Sequence, residues 1–160
     1  MNRSSAIIGL LIICRLVVSG QTGKTTSFIK VAQFKIARIT LGSAVPAAER
    51  VFGKPDSIED NSAMTDSVQE QTYYFKGVTM RFCGGKACEL QCVNPRYKTP
   101  QGLKVGDTVA KLFKTLGKTE IWQENGLRKA HYLLWPPSDT YMIFEFQHDR
   151  ISKIILEFSP

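Results

Sequence analysis

Histidine is scarce: His131 and His148 are the only two in 160 residues. That leaves little side-chain chemistry that titrates near neutral pH. No paired carboxylates stand out for acid–base work. No run of lysine and arginine is dense enough to suggest a nucleic-acid partner. Beyond residue 20, no apolar run approaches the roughly 20 residues that a membrane-spanning helix needs. A phosphate-binding loop is also missing. Gly20-Gln21-Thr22-Gly23-Lys24-Thr25 imitates the end of one, but Val18 stands where the first glycine belongs. These absences point away from catalysis, cofactors and a transmembrane segment in the mature chain.

What is present begins with an export signal over residues 1–20. Arg3 is the positive start, Ala6 to Ile13 is apolar, and Val18-Ser19-Gly20 offers small residues at a cleavage point before Gln21. Cys14 follows Ile13 and lies inside the apolar run, which argues against lipidation. Removing Arg3 and Arg15 leaves 19 basic residues against 14 acidic ones, a net charge of +5. Lys24, Lys30, Lys35, Arg38, Arg50 and Lys54 crowd the stretch from Gln21 to Pro55, with Glu49 alone opposing them. Such a stretch suits an acidic partner, an anionic surface or a solvated face. A hydrophobic fraction of 43% is enough for a core.

An offset of 64 residues aligns two parts of the chain. Gly42 matches Gly106, Val45 matches Val109, Phe52 matches Leu116 and Gly53 matches Gly117. Further on, Met80 matches Phe144, Phe82 matches Phe146 and Leu90 matches Ile154. Val109, Leu112, Phe113 and Leu116 have the spacing of one buried helix face. Ser43 and Asp107 fit helix N-caps, and Gly53 and Gly117 fit helix ends. Met142, Phe144 and Phe146 alternate with Tyr141, Ile143 and Glu145, as a half-packed strand does.

The expected fold is therefore α+β: two tandem helix-plus-antiparallel-meander units sharing one sheet, with helices on one face. The expected segments are a signal peptide (1–20), an N-terminal extension (21–38), unit 1 (39–95) and unit 2 (101–160). Residues Thr26 to Arg38 fit either an added edge strand or a helix.

The motifs Leu41-Gly42-Ser43 to Phe52-Gly53-Lys54-Pro55 and Val105-Gly106-Asp107 to Leu116-Gly117-Lys118 resemble the SmpA/OmlA-like fold. A tandem pair of such units is similar to beta-lactamase inhibitory protein. The resemblance implies a protein-binding sheet face or an accessory role in envelope assembly.

Three cysteines remain in the mature chain. Cys83 and Cys88 flank a hairpin turn and are expected to be bonded in an oxidising compartment. Cys92 then stays a free buried thiol or pairs with another chain. Metal binding lacks a nearby fourth ligand.

The expected function is an exported, periplasmic or secreted, non-catalytic protein-binding module, possibly inhibitory in effect. It needs no cofactor or metal, and its partner is another protein rather than nucleic acid. An accessory protein of envelope assembly, or a small cysteine- or carboxylate-dependent enzyme, are the alternatives. The expected binding residues are Leu133, Trp135, Tyr141 and Ile143, on the helix-free sheet face. The competing expectation makes Trp135 a core residue before a Pro136-Pro137 turn, or covers the face with the N-terminal segment.

Overall fold

A computed structural model describes residues 27–61, 69–136 and 138–158. The expected signal peptide, its cleavage point, Cys14, and the Gly20 to Thr25 motif lie outside the described residues.

The described residues build one mixed sheet of nine strands and two eight-residue α-helices. The strands are β1 (Ser27–Lys30), β2 (Ser57–Asp60), β3 (Glu70–Phe75), β4 (Val78–Cys83), β5 (Lys86–Cys92), β6 (Ile121–Glu124), β7 (Leu127–Trp135), β8 (Thr140–Gln147) and β9 (Arg150–Phe158). The helices are α1 (Val45–Phe52) and α2 (Val109–Leu116). The sheet order is β1-β7-β8-β9-β5-β4-β3-β2, with β6 also paired to β7.

This architecture corrects the expected fold class. The chain is not two helix-plus-three-strand units with helices on one face; it is dominated by a single mixed sheet. Two things overturn the expectation. β1 runs parallel to β7, pairing Phe28 with Leu133 and Lys30 with Trp135. β2 and β6 are four-residue strands whose side chains are almost all exposed. An exposed strand has no apolar alternation to announce it. The ambiguous segment before Arg38 thus becomes the edge strand β1, followed by a 3-10 turn over Val31–Gln33.

The core lies against one surface of the sheet. Met80, Phe82, Leu90, Tyr132, Met142, Phe144, Ile154 and Leu156 are buried there with Ala48, Phe52 and Leu112 of the helices. Tyr132 stands edge-on to Phe144, and its hydroxyl donates to the carbonyl oxygen of Gly117 at 2.8 Å. Burial pushes the pKa of that hydroxyl up.

The helix starts lie one residue later than expected. Ala44 and Thr108 are the N-caps, and Thr108 Oγ1 accepts from the backbone N–H of Lys111 at 3.2 Å. Ser43 Oγ and Asp107 Oδ2 instead accept from the N–H groups of Thr40 and Lys104, closing the preceding turns. Backbone bridges from Ala44 to Lys86 and from Thr108 to Arg150 hold each helix start to the sheet. Both helices end at glycines with φ 91°, as expected for Gly53 and Gly117. Side chains avoid that conformation.

A second turn has no such excuse. Ile36 and Ile39 exchange two hydrogen bonds of 2.8 Å across Ala37 and Arg38, whose φ values are 49° and 77°. A two-residue hairpin of this kind favours Asn-Gly. Non-glycine residues at positive φ cost roughly 1–3 kcal/mol each. Ala37 N–H donates to the carbonyl of Lys98, which fastens the turn to the 94–102 connection.

Candidate functional site

Strand alternation decides what the outer face of the sheet, the side turned away from the core, presents. On β7 the core takes Ala130, Tyr132 and Leu134, which leaves Lys129, His131, Leu133 and Trp135 outside. On β8 it takes Met142, Phe144 and Phe146, which leaves Tyr141, Ile143 and Glu145 outside. The register sets Leu133 opposite Tyr141, His131 opposite Ile143, and Lys129 opposite Glu145. β1 adds Phe28 beside Leu133.

Trp135 is 54% exposed and Phe28 46% exposed. Their rings meet edge-to-face with centroids 5.3 Å apart. Beside them Leu133 and Tyr141 are half-buried. The Tyr141 ring lies 6.2 Å from the ring of His131. Burial lowers the pKa of His131, Glu124 works the other way, and Lys129 adds to the lowering. Its Nε2 is buried without a hydrogen-bond partner. The expected site residues Leu133, Trp135 and Tyr141 are therefore gathered at one end of the outer face.

Two expectations change. Trp135 is not core, because its side chain stands in water. Ile143 is not an exposed contact, because it is only 3% exposed. Ile155 lies directly across the ladder from it and is also buried. Ile143 is a floor beneath the neighbouring side chains. Phe28 is the contact that sequence reasoning passed over. The only signal for it was one aromatic residue in Ser27-Phe28-Ile29-Lys30, too short a run to read as a strand.

Farther along the same face, charge replaces aromatics. Glu145 is 6% exposed, with Lys129 and Lys153 each 3.4 Å from its carboxylate. Lys129 also reaches Glu124 at 3.0 Å. Burial disfavours the charge on Lys129, but Glu124 and Glu145 outweigh it and raise its pKa. Arg81 bonds Glu89 at 2.9 Å and approaches Glu70 at 3.7 Å. Glu157 faces Glu89 across the ladder, and burial together with that neighbour raises its pKa.

Cys83 and Cys88 form the expected disulfide, with Cα atoms 5.8 Å apart. Cys88 is the extra residue of a bulge, since Phe82 pairs with Ala87 and Arg81 with Glu89. Cys92 is a free thiol and fully buried. Burial raises its pKa, which makes it a poor nucleophile. His148 sits in the β8–β9 turn with φ 56°. Among the described residues, no group of three or more His, Cys, Asp and Glu side chains is placed to hold a metal ion. No described helix is long and apolar enough to cross a membrane.

No protein-family profile matches the sequence, and no curated protein matches it closely. Similarity appears among solved structures. One is an extracellular protein containing a SCP domain from Bacillus anthracis str. Ames, at 12% identity and TM-score 0.50. The match covers 90% of this chain and 50% of that one. Another is a cysteine-rich secretory protein from Staphylococcus aureus subsp. aureus Mu50, at 12% identity and TM-score 0.48, covering 81% and 50% of the two chains. This chain thus spans about half the length of those proteins.

The fold likeness replaces the expected resemblance: the SmpA/OmlA-like assignment, with an arrangement similar to beta-lactamase inhibitory protein, is overturned because the fold is similar instead to that of a protein containing a SCP domain. The glycine-flanked motifs that suggested it mark where two short helices begin and end. That is a capping requirement shared by many folds.

Proposed function

We propose that this is an exported, non-catalytic module that docks another protein on the aromatic end of its outer face. The observation that carries the reading is the exposed ring pair Phe28–Trp135 beside half-buried Leu133 and Tyr141. Aromatic side chains over a rigid apolar floor bury much area on docking at low entropic cost. The floor is Ile143 and Ile155, and it sits on a sheet whose register is pinned by the core beneath.

A non-catalytic role is favoured by the fate of the nucleophile candidates. Cys83 and Cys88 are bonded to each other. Cys92 is inside the core cluster, while His131 lies on the outer face and His148 in a turn. Export is supported by the apolar leader, by the disulfide, and by the extracellular nature of the Bacillus protein of similar fold.

Photo-crosslinking tests the reading. A crosslinking side chain at Trp135 or Leu133 is expected to trap a protein partner in the secreting cell or its envelope. The same group at Thr79, on the polar end of the same face, is expected to trap none. Equal yields at both ends, or an adduct with a second copy of this chain alone, would remove the proposed hetero-protein docking.

A further inference from the structure

A cleft of about 670 Å³ lies between the Ile36–Ile39 hairpin and the connection that follows β5. Lys35, Ala37, Arg38, Arg96, Tyr97, Lys98, Thr99 and Pro100 line it. Four of these eight residues are cationic and none is acidic. Among the described residues, none of the four cations has an ion-pair partner, so the four charges in the cleft are not offset locally. Lys35 and Arg38 come from the basic stretch noted in the sequence. Arg96 and Lys98 come from the far side of the first helix and four strands, so the fold brings the two pairs together.

Like charges repel, and chain flexibility would separate them. Here both walls are fastened. The Ala37 N–H bonds the Lys98 carbonyl at 2.9 Å. Asn94 Oδ1 accepts from the Arg96 N–H at 3.0 Å, and Asn94 Nδ2 donates to the Lys76 carbonyl at 2.9 Å. The Tyr97 ring packs edge-on against Phe52 with centroids 4.9 Å apart. Leu103 N–H donates to Thr99 Oγ1 at 3.2 Å. The hairpin keeps Ala37 and Arg38 at positive φ although neither is glycine. The turn therefore holds Arg38 at the cleft in a conformation that costs free energy.

We infer that this cleft binds a phosphate-bearing ligand. Arginine presents a planar fork that matches a phosphate with two parallel hydrogen bonds, and lysine adds mobile positive charge. Four cations exceed what a single carboxylate would neutralise and suit the multiple charge of phosphate groups. Tyr97, Ala37 and Pro100 supply an apolar wall for whatever carries the phosphate. The site is separate from the aromatic end of the outer face and rests on none of its residues.

The test uses the exported chain with two probes, inorganic pyrophosphate in solution and vesicles of phosphatidylglycerol in phosphatidylcholine, against phosphatidylcholine alone. Arg38→Gly removes a charge and hands a positive-φ position to the residue that tolerates it, so the turn survives. Arg96→Gln removes a second fork. Each variant is expected to weaken binding about tenfold, and the pair to abolish it. Lys114→Gln, an exposed cation on α2 outside the cleft, is expected to leave binding unchanged. Added salt is expected to weaken binding throughout. Binding of pyrophosphate identifies a soluble phosphate compound as the ligand, and binding of phosphatidylglycerol vesicles alone identifies a lipid headgroup. Failure to bind either probe would overturn the inference. So would equal losses from Arg38→Gly and Lys114→Gln, because the attraction would then belong to net charge and not to the cleft.

Discussion

Across β3, β4 and β5, at the start of β7 and at the end of β8, the outer face of the sheet is charge that finds its own partners, while at the end of β7 and the start of β8, beside β1, it is aromatic. Arg81 lies between Glu89 and Glu70, and Glu145 lies between Lys129 and Lys153. Phe28 and Trp135 have mainly each other. One backbone register carries both ends, so the contrast belongs to the side chains chosen and not to the fold. Satisfied charge on a surface contributes little to stability and discourages docking. Exposed aromatic area contributes still less to folding and gains most when covered. The proposed docking at the aromatic end rests on this difference.

The strongest way to break that contrast is to compare the two sides of β8 and its neighbours. Phe144→Ala, on the core side and fully buried, is expected to cost about 3–5 kcal/mol of folding stability. Trp135→Ala, on the water side, is expected to cost below about 1 kcal/mol. Denaturant unfolding of the two variants measures both. A Trp135→Ala loss as large as that of Phe144→Ala would make the ring pair a structural element.

A smaller effect concerns the polar end. Cys83→Ala with Cys88→Ala opens a short loop, and the chain-entropy relation gives a loss of about 2 kcal/mol. The other bulged hairpin, β8–β9, is built without cysteines and has its own register shift at Glu145 and Phe146. The reduced chain is therefore expected to keep its fold, with crosslinking at position 135 unaltered. Loss of the fold on reduction would show that the polar end depends on the bond.

The smallest effect is a pH dependence. The His131 pKa is lowered in the folded chain by burial, which Glu124 opposes and Lys129 reinforces. The unfolded chain takes up its proton near pH 6.5, before the folded one does. Stability is thus fully present above that pH and is lost as pH falls toward the folded pKa. His131→Gln is expected to lose less stability than the natural chain between about pH 7 and pH 5. Parallel melting curves for the two chains over that range would contradict the assigned burial.

Much of the sheet was legible in the sequence, for a physical reason. Met142, Phe144 and Phe146, like Val78, Met80 and Phe82, alternate because one side of their strands is packed. The helices were legible because apolar spacing and closing glycines agree. The Cys83–Cys88 bond was legible because both residues flank one tight turn. Strands β2 and β6 were not, since Ser57-Ile58-Glu59-Asp60 and Ile121-Trp122-Gln123-Glu124 are almost wholly exposed and show no apolar alternation. The parallel seat of β1 on β7 joins distant segments and leaves no local pattern. Ile143 was misplaced because alternation assumes one wet side. On this central strand His131 of β7 and Ile155 of β9 flank Ile143 on that side. The cationic cleft was half legible: the basic stretch stood out, but its meeting with Arg96 and Lys98 depends on a turn, Ala37-Arg38, that carries no turn residues.

The most direct test is the affinity of the crosslink-captured partner for the natural chain and for Trp135→Ala and Tyr141→Ala. Each substitution is expected to weaken binding by about 2 kcal/mol, near thirtyfold, with little change in melting temperature. Unchanged affinity together with a large fall in melting temperature would contradict docking at the aromatic end and return both residues to the architecture of the sheet.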